Sequence, residues 1–251
     1  MPEDNKKKFL EMFRATLEFC KQNGDNPLID FWISKEHRNI DKWVHYFPIY
    51  HEWFKKFRGT DLVFVEIGVQ NGGSAQMWKE YFGKDAKIIG IDIDERCKQF
   101  EDENITIEIG SQEDVNFWNE FKNKYPRVDI LLDDGGHTMN QQIVTFQQMF
   151  PHIKEGGIYF CEDCHTSYYK NFGGSVGKPG TYIEFAKRLI DELNAFHTSG
   201  ELNPTYNTIH MGGGIHFYDS IVVIEKKIVR FAPFSMRIGQ PTIVKPADAM
   251  L

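Results

Sequence analysis

The sequence predicts a doubly wound α/β fold, with seven strands in a mostly parallel sheet, an antiparallel final strand and a helical extension at the N-terminus. Short apolar runs alternate with helical patterns along most of the chain. Several runs are apolar at nearly every position, which is typical of strands covered on both faces. One run leads into the glycine-rich stretch 68–74, and open α/β sheets bind ligands at such turns.

Length and charge limit the classes of protein. The 251 residues suit one large α/β domain, and we expect a helical extension at 1–60, the sheet domain at 61–230 and a tail at 231–251. The net charge of −7 without a Lys/Arg stripe argues against a nucleic-acid partner. No apolar stretch reaches the roughly 18 residues of a membrane span, so we expect a soluble, cytoplasmic protein with no membrane partner. Four cysteines fit a reducing compartment, with Cys161 and Cys164 leaving redox or zinc chemistry as a minor alternative.

Two helices are predicted before the first strand. Apolar residues recur with helical spacing from residue 3 to about 23, and aromatic residues do so from about 41 to 57. We expect both helices to pack beside the sheet. The alternative is that some of these aromatic side chains wall a substrate pocket.

The first strand and its turn predict a cofactor site. The apolar run 62–67 contains Glu66 and continues into Gly68, Gly72 and Ser74, where a helix begins. This spacing differs from the G-x-G-x-x-G of dinucleotide sites, which disfavours an NAD(P)-dependent oxidoreductase as the alternative. An acidic residue here suits a cofactor with a cationic amino-acid end and no phosphates.

The next two strands add polar residues at the same edge of the sheet. The run 87–92 ends in Asp92, at the position from which a carboxylate bonds ribose hydroxyls. The run 105–109 precedes Ser111 and Gln112, which we expect to contact an adenine ring. Two alternatives remain open. Asp92 ends its strand and has no ligand, or Ser111 only starts the helix predicted at residues 115–124.

Strands four and five predict a metal site. They cover 128–133 and 157–161, and acidic residues follow each of them. Because parallel strands end at one edge, these carboxylates should meet, and their repulsion calls for a cation. Magnesium is bound by carboxylate oxygens. The proposed ligands are Asp134, Glu162 and Asp163.

A histidine stands beside these carboxylates. His137 follows Asp134 by three residues, where it is placed to accept a proton from a metal-bound hydroxyl. We count Asp133 with the cofactor-binding residues; a role in the metal shell or in orienting a neighbour stays open. A purely structural turn at 134–137 and a solvated strand end at Glu162 are the alternatives.

The second half of the sequence completes the predicted fold. A helix is predicted at 139–150 and another at 182–196. The glycine-rich stretch 162–181 between them has the length of a lid or substrate loop. Two further strands are predicted, one at 208–210 and one at 216–225.

These motifs together resemble one family of enzymes. The matching segments are Glu66-Ile67-Gly68-Val69, Gly110-Ser111-Gln112, Asp133-Asp134-Gly135-Gly136-His137, Gly156-Gly157-Ile158-Tyr159 and Glu162-Asp163. Over about residues 43–226 the sequence is similar to class I S-adenosylmethionine (SAM) methyltransferases of the Rossmann-like fold, in particular the mycinamicin- and macrocin-type sugar O-methyltransferases and the cephalosporin hydroxylase-like proteins.

The resemblance implies an activity and its cofactors. It implies SAM, Mg²⁺ and methylation of a hydroxyl, on a sugar, of a small-molecule acceptor, in a protein that forms homo-oligomers. The family's ligand and base roles fall on Asp134, Glu162, Asp163 and His137. His165 and Tyr168 are further candidates for contact with the acceptor. A protein that keeps this fold as a non-catalytic binding module is the remaining alternative.

Overall fold

A computed structural model describes residues 3–22, 24–34, 37–229 and 231–239. Residues 240–251 of the predicted tail lie outside the described residues. The strands form one sheet in the order β3-β2-β1-β4-β5-β7-β6. Their bounds are β1 Val63–Ile67, β2 Lys87–Asp92, β3 Ile105–Ile109, β4 Val128–Asp133, β5 Ile153–Cys161, β6 Ile215–Tyr218 and β7 Ile221–Glu225.

The pairing confirms the predicted fold class. Strands β1 to β5 pair in parallel, and β7 runs antiparallel to both β5 and β6. The strand order reverses between β1 and β4, which is where open α/β sheets form a ligand crevice. The register aligns Ile91, Ile67, Asp133 and Cys161 across four neighbouring strands. The residues that follow this row therefore emerge side by side at one edge.

Helices cover both faces of the sheet. Their bounds are α1 Glu3–Gln22, α2 Pro27–Ile33, α3 Tyr46–Phe54, α4 Gly73–Phe82, α5 Val115–Lys124, α6 Met139–Met149, α7 Tyr182–Leu193 and α8 Tyr206–His210. Helices α2, α3 and α4 bury apolar side chains against one face, and α5, α6 and α7 do so against the other. Phe64 and Val65 belong to opposite cores, as the alternation along a strand requires. Within the described residues, no helix is long and apolar enough to span a bilayer.

Some predicted elements differ from the structure. The aromatic helix predicted from about residue 41 begins at Tyr46, and Trp43 lies outside it with 54% of its surface exposed. Helix α2 was not predicted. Tyr46 and three further aromatic residues of α3 are buried as expected.

The strand predicted at 208–210 is wrong. These residues belong to α8, because Thr205 and Thr208 form a capping box that starts a helix. The single strand predicted at 216–225 is a hairpin instead, β6 and β7. Its turn is at Asp219-Ser220, where Ser220 has φ 64°. Helix α7 ends at Leu193 rather than near residue 196.

Candidate active site at the carboxyl edge of the sheet

The glycine turn between β1 and α4 packs directly against the segment that follows β4. Gly68 has φ 94°, and a Cβ there would collide with the backbone oxygen of Asp134. Gly72, with φ 71°, precedes α4. A side chain at either position would be strained. The helix begins at Gly73, and Ser74 does not cap it.

Asp92 fixes the shape of this turn. Its Oδ2 accepts hydrogen bonds from the N–H groups of Val69 (2.9 Å) and Gln70 (3.1 Å), and its Oδ1 accepts one from Asp94 (2.9 Å). Asp92 also lines the cavity beside the turn. The predicted ribose ligand thus lies in the wall of the expected site and shapes it as well.

A cavity of about 230 Å³ lies at the ends of β1, β2 and β4. Gly68, Asp92 and Ser111 are among its lining residues. Gln112 lines it too, but its side chain is occupied: Nε2 donates to Asp133 and Thr145, and Oε1 accepts from the Gly136 N–H. Its amide therefore shapes the wall of the cavity.

Asp133 lies behind this wall. Its carboxylate accepts hydrogen bonds from Gln112 (2.9 Å) and Tyr159 (3.3 Å), and it is 1% exposed. Burial raises the pKa of Asp133 to about 7, against the effect of these donors. Asp133 is placed to orient Gln112 and, through it, the Gly136 backbone.

Glu66 is buried beneath the turn. Ser74 Oγ donates to its Oε2 (2.7 Å), and Trp78 Nε1 donates to its Oε1 (3.0 Å). Burial raises the pKa of Glu66, and Lys42 opposes that change. A direct hydrogen bond thus joins Glu66 and Ser74, two of the predicted cofactor-binding residues.

Lys42 is the main residue that sequence reasoning missed. Its Nζ donates to Glu162 Oε1 (2.8 Å), to Asp134 Oδ2 and, at 3.4 Å, to Glu66 Oε1. The side chain is 2% exposed. Burial alone would lower the pKa of Lys42, but the three carboxylates raise it well above its usual range. The chain itself therefore supplies part of the positive charge that these carboxylates require.

A second group of polar atoms lies beside the Lys42 cluster. One ligand atom each from Asp134, His137 and Asp163 lie within 4.8 Å of one another. His137 Nε2 is 3.5 Å from Asp163 Oδ2 and 3.9 Å from Asp134 Oδ1. Glu162 is not in this group; its Oε1 accepts a hydrogen bond from Lys42 and its Oε2 accepts one from Tyr50. The structure thus places two of the three predicted metal ligands with the predicted base.

The donor set and the backbone both fit a functional site. Two carboxylate oxygens and one imidazole nitrogen suit a divalent cation. His137 and Asp163 have φ of 57° and 55°, and such strained residues concentrate at functional sites. Burial raises the pKa of Asp134 to about 6, opposed by Lys42, and burial lowers the pKa of His137.

A cavity of about 510 Å³ opens over these residues. Its walls include Lys42, Trp43, His137 and Asp163, and it shares Gln70 and Asp134 with the cavity at the glycine turn. The predicted cofactor-binding residues and the predicted metal-site residues therefore border two adjoining cavities.

A comparison with protein families identifies this part of the chain. Residues 65–164 match the family model described as a methyltransferase domain. The chain contains a methyltransferase domain. The match begins within β1 and continues past the end of β5, so it includes Glu66, Asp134, His137, Glu162 and Asp163 but not Lys42.

Related proteins share this methyltransferase domain. Demethylmacrocin O-methyltransferase of Streptomyces fradiae is 32% identical over 203 residues, covering 74% of this chain and 50% of that protein. Mycinamicin VI 2''-O-methyltransferase of Micromonospora griseorubida is 31% identical over 195 residues, covering 73% and 48%. The chain spans about half the length of the curated relatives it matches.

A solved structure shares the fold as well. MycE methyltransferase from the mycinamycin biosynthetic pathway, in complex with Mg, SAH and mycinamycin VI, superposes with a TM-score of 0.73. It is 27% identical, and the match covers 86% of this chain and 57% of that one. The resemblance to the mycinamicin- and macrocin-type methyltransferases is confirmed.

The two residues expected near the acceptor lie at the border of the methyltransferase domain. His165 and Tyr168 line a cavity of about 420 Å³ that also contains Phe217 and Tyr218. His165 Nδ1 is 3.8 Å from Asp163 Oδ1, so it stands between this cavity and the group of Asp134, His137 and Asp163, here called the acidic cluster. Tyr168 is 47% exposed.

Proposed function

We propose that this chain is a Mg²⁺-dependent, SAM-dependent O-methyltransferase that acts on a hydroxyl group, on a sugar, of a glycosylated small molecule. The observation that carries the proposal is the shared wall of the two cavities, Gln70 and Asp134. A cofactor at the glycine turn and an acceptor at the acidic cluster would be neighbours there. The names of the relatives support a sugar hydroxyl as the acceptor.

The residues at the turn suit the cofactor. Gly68 and Gly72 let the backbone approach a ligand, and Asp92 and Ser111 line the adjoining cavity. Gln112 accepts a hydrogen bond from the Gly136 backbone and donates one to Asp133, and Ser74 donates one to Glu66 beneath the turn. Glu66, Ser74, Gln112 and Asp133 would therefore support the cofactor site from behind. SAM would supply the methyl group.

The acidic cluster suits a cation and an alkoxide. Asp134 and Asp163 would hold Mg²⁺ together with water and the acceptor oxygen, and Glu162, the third predicted ligand, adjoins them through Lys42. A bound Mg²⁺ raises the acidity of a hydroxyl that it contacts. His137 would accept the proton, since burial lowers the pKa of its imidazole and favours the neutral form.

Binding and turnover test this function separately. SAM and NADPH are titrated against the purified chain, and methyl transfer from labelled SAM to demethylmacrocin and mycinamicin VI is followed with Mg²⁺ or with EDTA. We expect micromolar SAM binding, no NADPH binding and Mg²⁺-dependent labelling of one of these sugars or of a related glycoside. Binding of NADPH in place of SAM would contradict the proposal, and full activity in EDTA would remove the metal. SAM binding without transfer to any hydroxylated acceptor would favour a non-catalytic module.

The assembly and location of the protein stay predictions. We propose a homo-oligomer, which the resemblance to the sugar O-methyltransferases implies, and a cytoplasmic location. Light scattering of the purified chain measures the first, and a mass of one chain at micromolar concentration would contradict it.

A further inference from the structure

Two residues that precede or begin α3 contact the carboxylates of the candidate cation site from outside. Tyr46 donates its hydroxyl to Asp163 Oδ1 at 2.7 Å, and Lys42 donates to Asp134 Oδ2. Both lie outside the matched methyltransferase domain. We propose that Lys42 and Tyr46 are positioning residues, which orient Asp134 and Asp163 so that one oxygen of each faces a single divalent cation. The proposal rests on the cation site of the proposed function.

The two carboxylates use their oxygens in the same way. Asp163 Oδ1 accepts the hydrogen bond from Tyr46, and Asp163 Oδ2 lies 3.5 Å from His137 Nε2. Asp134 Oδ2 accepts the hydrogen bond from Lys42, and Asp134 Oδ1 lies 3.9 Å from the same His137 nitrogen. Each side chain thus has one oxygen held by a donor near α3 and one oxygen turned toward the candidate cation position.

Such orientation matters because carboxylates rotate easily. The terminal torsion of Asp has broad, shallow minima, so an aspartate held at one oxygen loses less freedom when its other oxygen binds an ion. Groups that orient metal ligands in this way typically change metal affinity by roughly 10- to 100-fold when they are removed.

Tyr46 is well placed to fix one orientation. The residue is fully buried, and its ring packs against His45 and Tyr50, with ring centres 4.7 Å and 6.1 Å away. Its hydroxyl therefore has little freedom to leave Asp163. The backbone of Asp163, at φ 55°, is set in the left-handed region, so the tyrosine and the backbone together define where Oδ2 points.

Lys42 acts through two effects that oppose each other. It holds Asp134 in place, but its positive charge also repels a cation nearby. Removing Lys42 therefore loosens one ligand and strengthens the negative potential at once. Tyr46 carries no charge, so Tyr46→Phe removes one hydrogen bond to Asp163 without changing the net charge of the site and is the diagnostic variant.

The test measures ion binding in the full chain. Mg²⁺ and Mn²⁺ are titrated by calorimetry, and Mn²⁺ binding is repeated by electron paramagnetic resonance, for the wild type, Tyr46→Phe and Tyr81→Phe. Tyr81 is a matched control, since the residue is buried and its hydroxyl lies 2.9 Å from His51 Nδ1, outside the acidic cluster. Thermal unfolding of each variant accompanies the titrations.

The expected result is a cation affinity about 10- to 100-fold weaker in Tyr46→Phe and unchanged in Tyr81→Phe. Equal affinities in the wild type and Tyr46→Phe would overturn the positioning role while leaving the cation site intact. An equal loss in both variants would also overturn it, because the effect would then be structural. A wild type that binds neither ion would overturn both this inference and the metal in the proposed function, whereas SAM binding would still be measurable.

Discussion

The Nζ atom of Lys42 lies 2.8 Å from Oε1 of Glu162, and both side chains are almost completely buried, with 2% and 1% of their surface exposed. The lysine comes from the segment before α3 and the glutamate from the end of β5. A buried carboxylate is costly without a partner. This contact therefore ties the region before α3 to the acidic edge of the sheet.

Replacing Lys42 by methionine should destabilise the protein strongly. Lys42→Met keeps a similar length but leaves Glu66, Asp134 and Glu162 without their shared cation. Breaking a buried ion pair on one side costs about 3–5 kcal/mol, and urea unfolding at pH 7 measures this loss. Lys187→Met is the control, since Lys187 and its partner Glu184 are at the surface and such pairs contribute less than about 1 kcal/mol. Equal losses in the two variants would contradict the importance of the cluster.

The sequence predicted strands β1 to β5 of the sheet and the edge that carries the site. Asp92, Asp134 and Glu162 each end or follow an apolar run, and Glu66 lies one residue before the end of another. Parallel strands necessarily end at one edge. The direction of the chain is thus enough to bring these residues together. The same reasoning predicted that the carboxylates after β4 and β5 would need a cation.

Lys42 could not be predicted in the same way. It lies in irregular backbone, with no periodic pattern to say which way its side chain points, and its partners are 24, 92 and 120 residues away. Gln112 was expected at the cofactor, but only the packing of α6 shows that its amide is consumed by Thr145 and Asp133. The stretch 208–210 was too short for periodicity to decide, and local capping determined its helix.

Substituting Gly68 should disturb both the cofactor turn and the segment at Asp134 that packs against it. In Gly68→Ala the new Cβ meets the Asp134 carbonyl, and the φ of 94° is unfavourable as well. Gly59→Ala is the matched control, because Gly59 also has positive φ (71°) but has open space around its Cβ position. We expect about 1 kcal/mol lost in the control and a larger loss, with weaker SAM binding, in Gly68→Ala. Thermal unfolding and calorimetry measure both, and matching results would contradict the steric argument.

Substitutions of Asp92 and Asp94 test whether Asp92 belongs to the cofactor site. Asp92→Asn removes the charge of the carboxylate that accepts hydrogen bonds from two backbone N–H groups of the turn. Asp94→Asn alters a partly exposed carboxylate paired with Arg96. Hydrogen bonds to a charged group contribute about 1.5–3 kcal/mol, so SAM affinity should fall by roughly 10- to 100-fold in Asp92→Asn. Asp94→Asn should bind SAM as the wild type does. Isothermal titration decides, and undiminished affinity in Asp92→Asn would exclude this aspartate from the cofactor site.

His137→Asn separates a base from a metal ligand. Asparagine tolerates the left-handed backbone at φ 57° better than alanine does, so the variant should fold. Loss of a general base lowers the rate by roughly 10²–10⁴-fold, and we expect this fall in methyl transfer while SAM and Mg²⁺ affinities are kept. His165→Asn is the control, since His165 lies beyond Asp163 at the border of a separate cavity, and it should change the KM for the acceptor more than the rate constant. If His137→Asn instead weakens Mg²⁺ binding as much as it slows the reaction, the imidazole is a ligand, and the proton must go to another group.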